Sequence, residues 1–292
     1  MSAAGTLYLV ATPIGNLEDI TLRAIRVLRE ASVIACEDTR RTRGLLAHLG
    51  IHTPIQSVHA HNERARIPQI LTMLREGKSV AVVTDAGMPA ISDPGAALVT
   101  AAARAGIRVV PVPGASAVTA VVSLADFPAD RFAFVGFPPR RRSERKRMLA
   151  SLATLPMALV MFEAPHRVRD TLADLEEVLG ARRLILAREL TKVHEEVLRG
   201  TAAEVRAALA DVPRGEVTLV IEGGAGLPAD AGRDGEQGAH EPGRAQPPAL
   251  SPEAFLRRLR AQGLSRRDAA RALALAYRLP AREAYRLAAR EA

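Results

Sequence analysis

Tryptophan is missing from the 292 residues, and the aromatic complement is six Phe and three Tyr. Contact with nucleic acid therefore cannot rest on a row of aromatic stacking platforms. Cysteine occurs once, as Cys36, which excludes an internal disulfide and any multi-cysteine zinc site. Its apolar neighbours mark it as a buried thiol. Long hydrophobic runs are also lacking: none approaches the ~20 residues that a membrane helix needs. The first residues carry no basic stretch of the signal-peptide kind and lead straight into Leu7-Tyr8-Leu9-Val10. These absences lead us to expect a cytoplasmic protein with no membrane partner.

Lysine is scarce too, with three occurrences, so nearly all positive charge is guanidinium. The net charge is +8, and its placement says more than its size. Residues 251–292 hold ten Arg against four acids, a net of +6. A second block, residues 140–147, reads RRRSERKR. Two dense cationic clusters on an otherwise balanced chain are the electrostatic footprint of a polyanionic partner, or else a solvated surface in an Arg-rich protein.

Short apolar runs alternate with amphipathic stretches, the pattern of a mostly parallel α/β sheet. Strands are expected at 6–11, 33–36, 79–84 and 107–111. Helices are expected at 19–30, 39–49, 62–76, 94–105 and 115–124. A second unit repeats the alternation, with strands at 131–135, 157–162, 184–189, 195–198 and 216–221 and helices at 143–155, 166–179 and 201–210. Residues 223–250 contain seven Gly and four Pro without periodicity and read as a flexible linker. Three short helices should follow, at 251–262, 265–275 and 280–290. The expected organisation is an N-terminal α/β domain (1–127), a second α/β domain (128–222), the linker (223–250) and an Arg-rich helical module (251–292).

Polar residues gather where apolar strands stop, which is where open α/β sheets bind ligands. Thr12-Pro13-Ile14-Gly15-Asn16 follows the first strand but has neither a P-loop lysine nor GxGxxG spacing. The most specific string, Thr84-Asp85-Ala86-Gly87-Met88-Pro89-Ala90-Ile91-Ser92-Asp93-Pro94-Gly95, follows the apolar run Ala81-Val82-Val83. Its Gly87 permits backbone angles closed to other residues, its prolines stiffen the loop, and Asp93 suits the cap of the next helix. Val112-Pro113-Gly114-Ala115-Ser116-Ala117 makes a third strand-end loop, and the three should line one crevice. In the second unit Phe162-Glu163-Ala164-Pro165-His166-Arg167 and Ala187-Arg188-Glu189-Leu190-Thr191-Lys192 place charges at further strand ends. His59, His61 and His166 lack the companion ligands of a specific metal motif, so no metal is expected.

Together with Glu37-Asp38-Thr39-Arg40 and His61-Asn62-Glu63, these strings resemble the ribosomal RNA small subunit methyltransferase I family of the tetrapyrrole-methylase superfamily. The resemblance runs in unbroken order from about residue 5 to 221. Met88, Ala115 and Asp126-Phe127 depart from the usual pattern, and the Gly/Pro linker looks like an insertion.

The resemblance implies two α/β domains of the tetrapyrrole-methylase fold with a cleft between them, S-adenosylmethionine (SAM) in that cleft, and a homodimer. It implies transfer of a methyl group to the ribose 2′-oxygen of a cytidine in the decoding region of 16S rRNA. By the same resemblance Pro13, Asp85, Ala86, Gly87, Ile91, Ser92, Ser116 and Ala117 should contact SAM from the first domain. Phe162, Leu190, Gly215 and Glu216 should do so from the second. Glu163 is the first candidate for a general base and His166 the second; Glu37, Asp38 and Glu63 are open alternatives for that role or for structure. Arg40, Arg167 and Lys192 are expected on phosphates, with Arg140, Arg141, Arg142, Arg257, Arg258, Arg266 and Arg267 contributing from the two clusters. The rival functions are methylation of a tetrapyrrole and a non-catalytic role in RNA binding.

Overall fold

Alternating apolar residues build the first half around a five-stranded parallel sheet. Its chain order is β1 (Thr6–Val10), α1 (Leu22–Glu30), β2 (Val33–Cys36), α2 (Thr39–His48), β3 (Ile55–Ser57), α3 (Glu63–Arg75), β4 (Val80–Val83), α4 (Ala96–Arg104) and β5 (Arg108–Val112). The strands lie side by side as β3-β2-β4-β1-β5. Because strand side chains alternate between faces, Val10, Ile34, Cys36, Ala81 and Val83 pack with α1 and α2 on one side. Leu7, Val33, Ala35, Val80 and Val82 pack with α3 and α4 on the other. The chain thus leaves β1 toward one face and the adjacent β4 toward the other, which opens a crevice at their carboxyl ends. The edge strand β3 is an addition to the expected elements, and burial pushes up the pKa of the Cys36 thiol.

The second half contains α5 (Ala117–Val122), β6 (Phe132–Phe134), α6 (Arg142–Leu152), β7 (Ala158–Glu163), α7 (Val168–Leu179), β8 (Arg183–Arg188), β9 (Glu196–Thr201), α8 (Ala202–Ala208) and β10 (Val217–Ile221). Its sheet, in the order β6-β7-β10-β8-β9, is not the parallel sheet that the alternation predicts. Only β6 and β7 run parallel, while β7–β10, β10–β8 and β8–β9 are antiparallel. One face carries Leu159, Met161, Leu184, Leu186 and Leu219 against α6, α7 and α8. The opposite face is covered by Val118 and Val121 of α5 together with Phe127. Helix α5 therefore packs on the second sheet, although the sequence reading closed the first unit with it.

The computed structural model describes residues 4–210, 214–224, 251–261, 265–277 and 279–290. Residues 225–250, most of the expected linker, lie outside that set; Gly223 and Gly224 hold to the second half, where Gly224 N–H donates to the Leu155 carbonyl at 2.7 Å. The C-terminal residues form a separate unit of helices α9 (Pro252–Ala261), α10 (Arg266–Ala276) and α11 (Ala281–Arg290). Leu256, Ala269, Ala270, Leu273, Ala284 and Ala288 make its core, and Ser251 caps α9 by accepting from Ala254 N–H at 3.2 Å. No helix among the described residues is long and apolar enough to cross a membrane.

Candidate active site

The carboxyl ends of β1 and β4 face the end of β7 across a cavity of about 440 Å³, within the ~300–1,000 Å³ range of small-molecule sites. Since β10 runs antiparallel to β7, with Val217 opposite Glu163, residues 215–218 arrive at the same end. Asp85, Ala86, Gly87, Ile91, Ser92, Ser116 and Ala117 line the cavity from the first half, and Phe162, Gly215 and Glu216 from the second. Pro13 instead lines an adjoining cavity of about 310 Å³. Leu190 lines neither; it packs against the apolar cluster that contains Ile185 and Ala187. Its turn serves to join the halves. A Cβ on Gly15 would lie 2.7 Å from the Leu190 carbonyl oxygen, and Asn16 N–H donates to the Thr191 hydroxyl at 3.0 Å.

Backbone strain is concentrated here. Ala90 and Ser92 have φ of 67° and 63°, and Glu189 and Thr191 in the facing turn have 53° and 66°. These are all the described non-glycine residues with positive φ, and such residues cluster where the surrounding fold holds a loop for function. Gly87, at φ 77°, exchanges two backbone hydrogen bonds with Thr12, at 2.9 and 3.1 Å. A Cβ there would sit 3.5 Å from Ile14, so the dihedral demands the glycine and crowding does not.

Three carboxylates converge on one wall. The Thr84 hydroxyl donates to Asp93 at 2.8 Å and lies 3.3 Å from Glu37. A hydroxyl has one proton to give, so the second contact closes best when Glu37 itself carries a proton. Burial first, and then Asp93 and Asp85, pushes the Glu37 pKa up. Burial first, and then Asp85 and Glu216, raises that of Asp93. Asp85 accepts from Asp38 N–H at 3.2 Å and faces the Arg41 guanidinium at 3.5 Å. The expected helix cap at Asp93 is therefore corrected: α4 is capped by Glu63, which accepts from Gly95 and Leu98 N–H at 3.1 and 3.0 Å.

Glu163, the first candidate base, has its side chain fully buried. Its oxygens accept from the Ala164 N–H at 2.8 Å and the Thr171 hydroxyl at 2.5 Å, and the Arg167 Nε lies 3.4 Å away. That engagement holds the turn, and Glu163 also lines the larger cavity. His166 is exposed on the same turn and does not line the cavity.

Several cations expected on phosphate are occupied within the chain. Arg167 is 16% exposed and donates to the Pro138 and Pro139 carbonyls at 2.8 and 3.0 Å. Lys192 pairs with Glu189 at 2.8 Å and Glu216 at 3.3 Å. In the 140–147 block, Arg142 bonds Asp174 and Glu177, Arg145 is buried against Asp174, Lys146 bonds Glu177, and Arg141 lies 3.5 Å from Glu144. Arg140 is exposed, as is Arg40, whose hydrogen bond holds Asp38 at a pKa of about 2. Arg257, Arg266 and Arg267 are exposed on the C-terminal unit, and the Arg258 side chain lies outside the described residues. Sequence reasoning missed Arg41 and Phe137 in the site, and Thr84, which opens the most specific string, was not among the expected contacts. The polar step at the end of an apolar strand was the signal available for Thr84.

Residues 6–206 match the family described as Tetrapyrrole (Corrin/Porphyrin) Methylases. A Synechocystis sp. protein named ribosomal RNA small subunit methyltransferase I is 43% identical over 97% of this chain and 97% of its own. The Thermotoga maritima protein of that name is 48% identical over 75% of this chain and 99% of its own. Among solved structures, the Thermus thermophilus uroporphyrin-III C-methyl transferase complexed with S-adenosyl homocysteine superposes with a TM-score of 0.54 at 23% identity, covering 74% of this chain and 97% of that one. That likeness speaks for the fold alone.

Proposed function

Since the chain belongs to the tetrapyrrole methylase family and, within it, to the ribosomal RNA small subunit methyltransferase I family, we propose that it methylates small-subunit ribosomal RNA with SAM. The finer reading is that the acceptor is the ribose 2′-hydroxyl of a cytidine in the decoding region, that the reaction takes place in the cytoplasm, and that a homodimer carries it out. The observation that carries the reading is the cavity between the halves, with apolar walls on one side and three clustered carboxylates on the other.

The residues present fit the cofactor. Phe162, Phe137, Ile91 and Val118 supply apolar surface for an adenosine, and Phe137 and Phe162 lie 5.5 Å apart at a tilt of 55°. Glu37, Asp85 and Asp93 supply negative charge for a ligand that carries a sulfonium and an ammonium. When bound, SAM supplies a methyl group made electrophilic by its sulfonium, so no metal is required. The chain's own work is then positioning, for which ordered loops can supply several kcal/mol. The strained 84–95 loop holds Asp85 and Ser92, and the Gly87–Thr12 bonds pin that loop to β1. Glu163 is fully buried and bonded to Ala164 and Thr171, so we assign the role of proton acceptor to Asp85, whose carboxylate is 26% exposed on the wall. The experiment is mass spectrometry of rRNA nucleosides from cells with and without the gene, followed by restoration with the purified protein. Loss and recovery of one 2′-O-methylcytidine in small-subunit rRNA is the expected result, and an unchanged nucleoside profile overturns the reading. Sedimentation of the purified protein tests the homodimer.

A further inference from the structure

Every glycine described in the chain has a structural reason to be one, with a single exception. Gly50, Gly106 and Gly180 have open space around them but take positive φ. Gly5, Gly15 and Gly215 face atoms that a Cβ would meet at 2.0–2.5 Å. Gly44 sits inside α2 without a positive φ, and a Cβ added there would meet nothing within 4 Å. A glycine in a helix interior costs about 1 kcal/mol relative to alanine, and neither dihedral nor crowding requires it here. What it does is line the smaller, 310 Å³ cavity.

That cavity adjoins the larger one. Ile14, Arg41, Thr84, Asp85, Ala86 and Glu216 line both, so molecules seated in the two would share this wall. The far side of the smaller cavity is built differently. Leu17 and Leu45 give apolar surface, while Arg41, 63% exposed, brings positive charge to its edge. Arg41, Gly44 and Leu45 share one face of α2, as residues three and four apart do. Arg40 and Arg43 are also exposed along this helix.

We propose that the smaller cavity receives the target nucleoside, with Gly44 kept free of a side chain to admit it and Arg41 placed for the flanking phosphate. The proposal rests on the rRNA-methylating reading and adds a substrate subsite to it. A small uncharged base and ribose need apolar walls and room, and the strand that carries them needs cations at the rim.

The test uses full-length Gly44→Ala and Gly44→Met proteins. Four quantities are measured: thermal midpoint, SAM affinity by calorimetry, and affinity and KM for small-subunit rRNA. Gly44→Ala should melt at a higher temperature than the wild type, because a helix former replaces glycine in open space. Both variants should bind SAM as the wild type does. The RNA KM should rise in both, and by about tenfold or more for Met, the scale on which filled pockets discriminate. Direct RNA binding should weaken in parallel. A Gly44→Met protein with unchanged RNA affinity and KM overturns the proposal, as does one whose SAM affinity falls instead. If Met fails to fold, the Ala variant decides alone by the same readings. A wild type that does not methylate rRNA overturns the underlying reading, which is a different result from active variants indifferent to residue 44.

Discussion

The Thr171 hydroxyl on α7 donates a 2.5 Å hydrogen bond to the Glu163 carboxylate at the end of β7. Both side chains are buried, and the bond fastens the strand end at Phe162 and the loop with Ala164 and Pro165 to the helix behind them. The first prediction follows from that contact. Glu163→Gln should lower the thermal midpoint, because one carboxylate oxygen becomes an NH₂ facing donors. Thr171→Val should do the same through the same loop. Turnover should fall in both while the shape of the pH–rate profile is kept. Disappearance of its acid limb in Glu163→Gln alone would identify Glu163 as the base after all.

The second prediction separates the cations of the 140–147 block. Asp174 is 1% exposed and holds Arg145 at 2.6 Å and Arg142 at 2.8 Å. Asp174→Ala leaves the buried Arg145 uncompensated and should cost ~3–5 kcal/mol of stability. Arg142 is 66% exposed, so Arg142→Ala should cost no more than ~1 kcal/mol. Denaturant titrations of the two variants check the contrast. Equal losses would show that this network is not the anchor of α6 on α7.

The third prediction concerns pH. Glu37 and Asp93 bind protons more tightly in the folded protein than their ordinary values of 4.5 and 3.8. Their contribution to stability is therefore present below those values and is lost as pH rises through the raised folded values. A cationic ligand favours the ionised forms, so SAM should bind more tightly as pH rises over that window and should release protons on binding. Asp93→Asn keeps an acceptor for the Thr84 hydroxyl but cannot ionise. It should be more stable at neutral pH and show a flatter pH dependence of affinity. Calorimetry in buffers of different ionisation heat measures the protons released, and uptake of protons would contradict the assignment.

How much of this was legible in the sequence differs between the halves. In the first, Val33–Cys36 has the expected limits and β1, β4 and β5 lie within about a residue of theirs, because continuous apolar runs mark buried parallel strands. Ile55-Gln56-Ser57, a three-residue edge strand, has no such run. The antiparallel pairs of the second sheet were hidden because the alternation of strands and helices, which favours a parallel sheet, does not by itself fix strand direction. Helix α5 was misplaced for a related reason: its sequence is Ala-Val-Thr-Ala-Val-Val, apolar enough to pack on either sheet. The strand-end loops were readable as a site, and all but Pro13 and Leu190 of the expected SAM contacts line the larger cavity. The bond that holds Glu163 was not readable, since it depends on Thr171 a full turn into the next helix. Nor was the Glu37–Thr84–Asp93 cluster, whose members meet only when β2 and β4 pair.

The last prediction concerns the C-terminal unit, residues 251–292, which carries +6 of the net +8 charge. It forms its own helical core, with Arg257, Arg266, Arg267, Arg282 and Arg286 exposed. Deleting it should leave a folded α/β core that binds SAM with unchanged affinity, since every residue lining the two cavities precedes it. RNA affinity should fall, and its dependence on salt should flatten. Arginines that neutralise phosphates release counterions, and each contact contributes about 0.7–0.9 to the slope of log affinity against log salt. If three or four of these arginines touch phosphate, the slope should drop by roughly two to four units. The core keeps Arg40, Arg41 and Arg140 exposed, so some salt dependence should survive. The competing assignment, a unit for self-association or solubility, predicts a changed sedimentation coefficient with an unmoved slope. RNA binding at several salt concentrations, with and without residues 251–292, decides the matter: matching slopes would remove the unit from the RNA interface, and the surviving slope would count the phosphates that the core holds by itself.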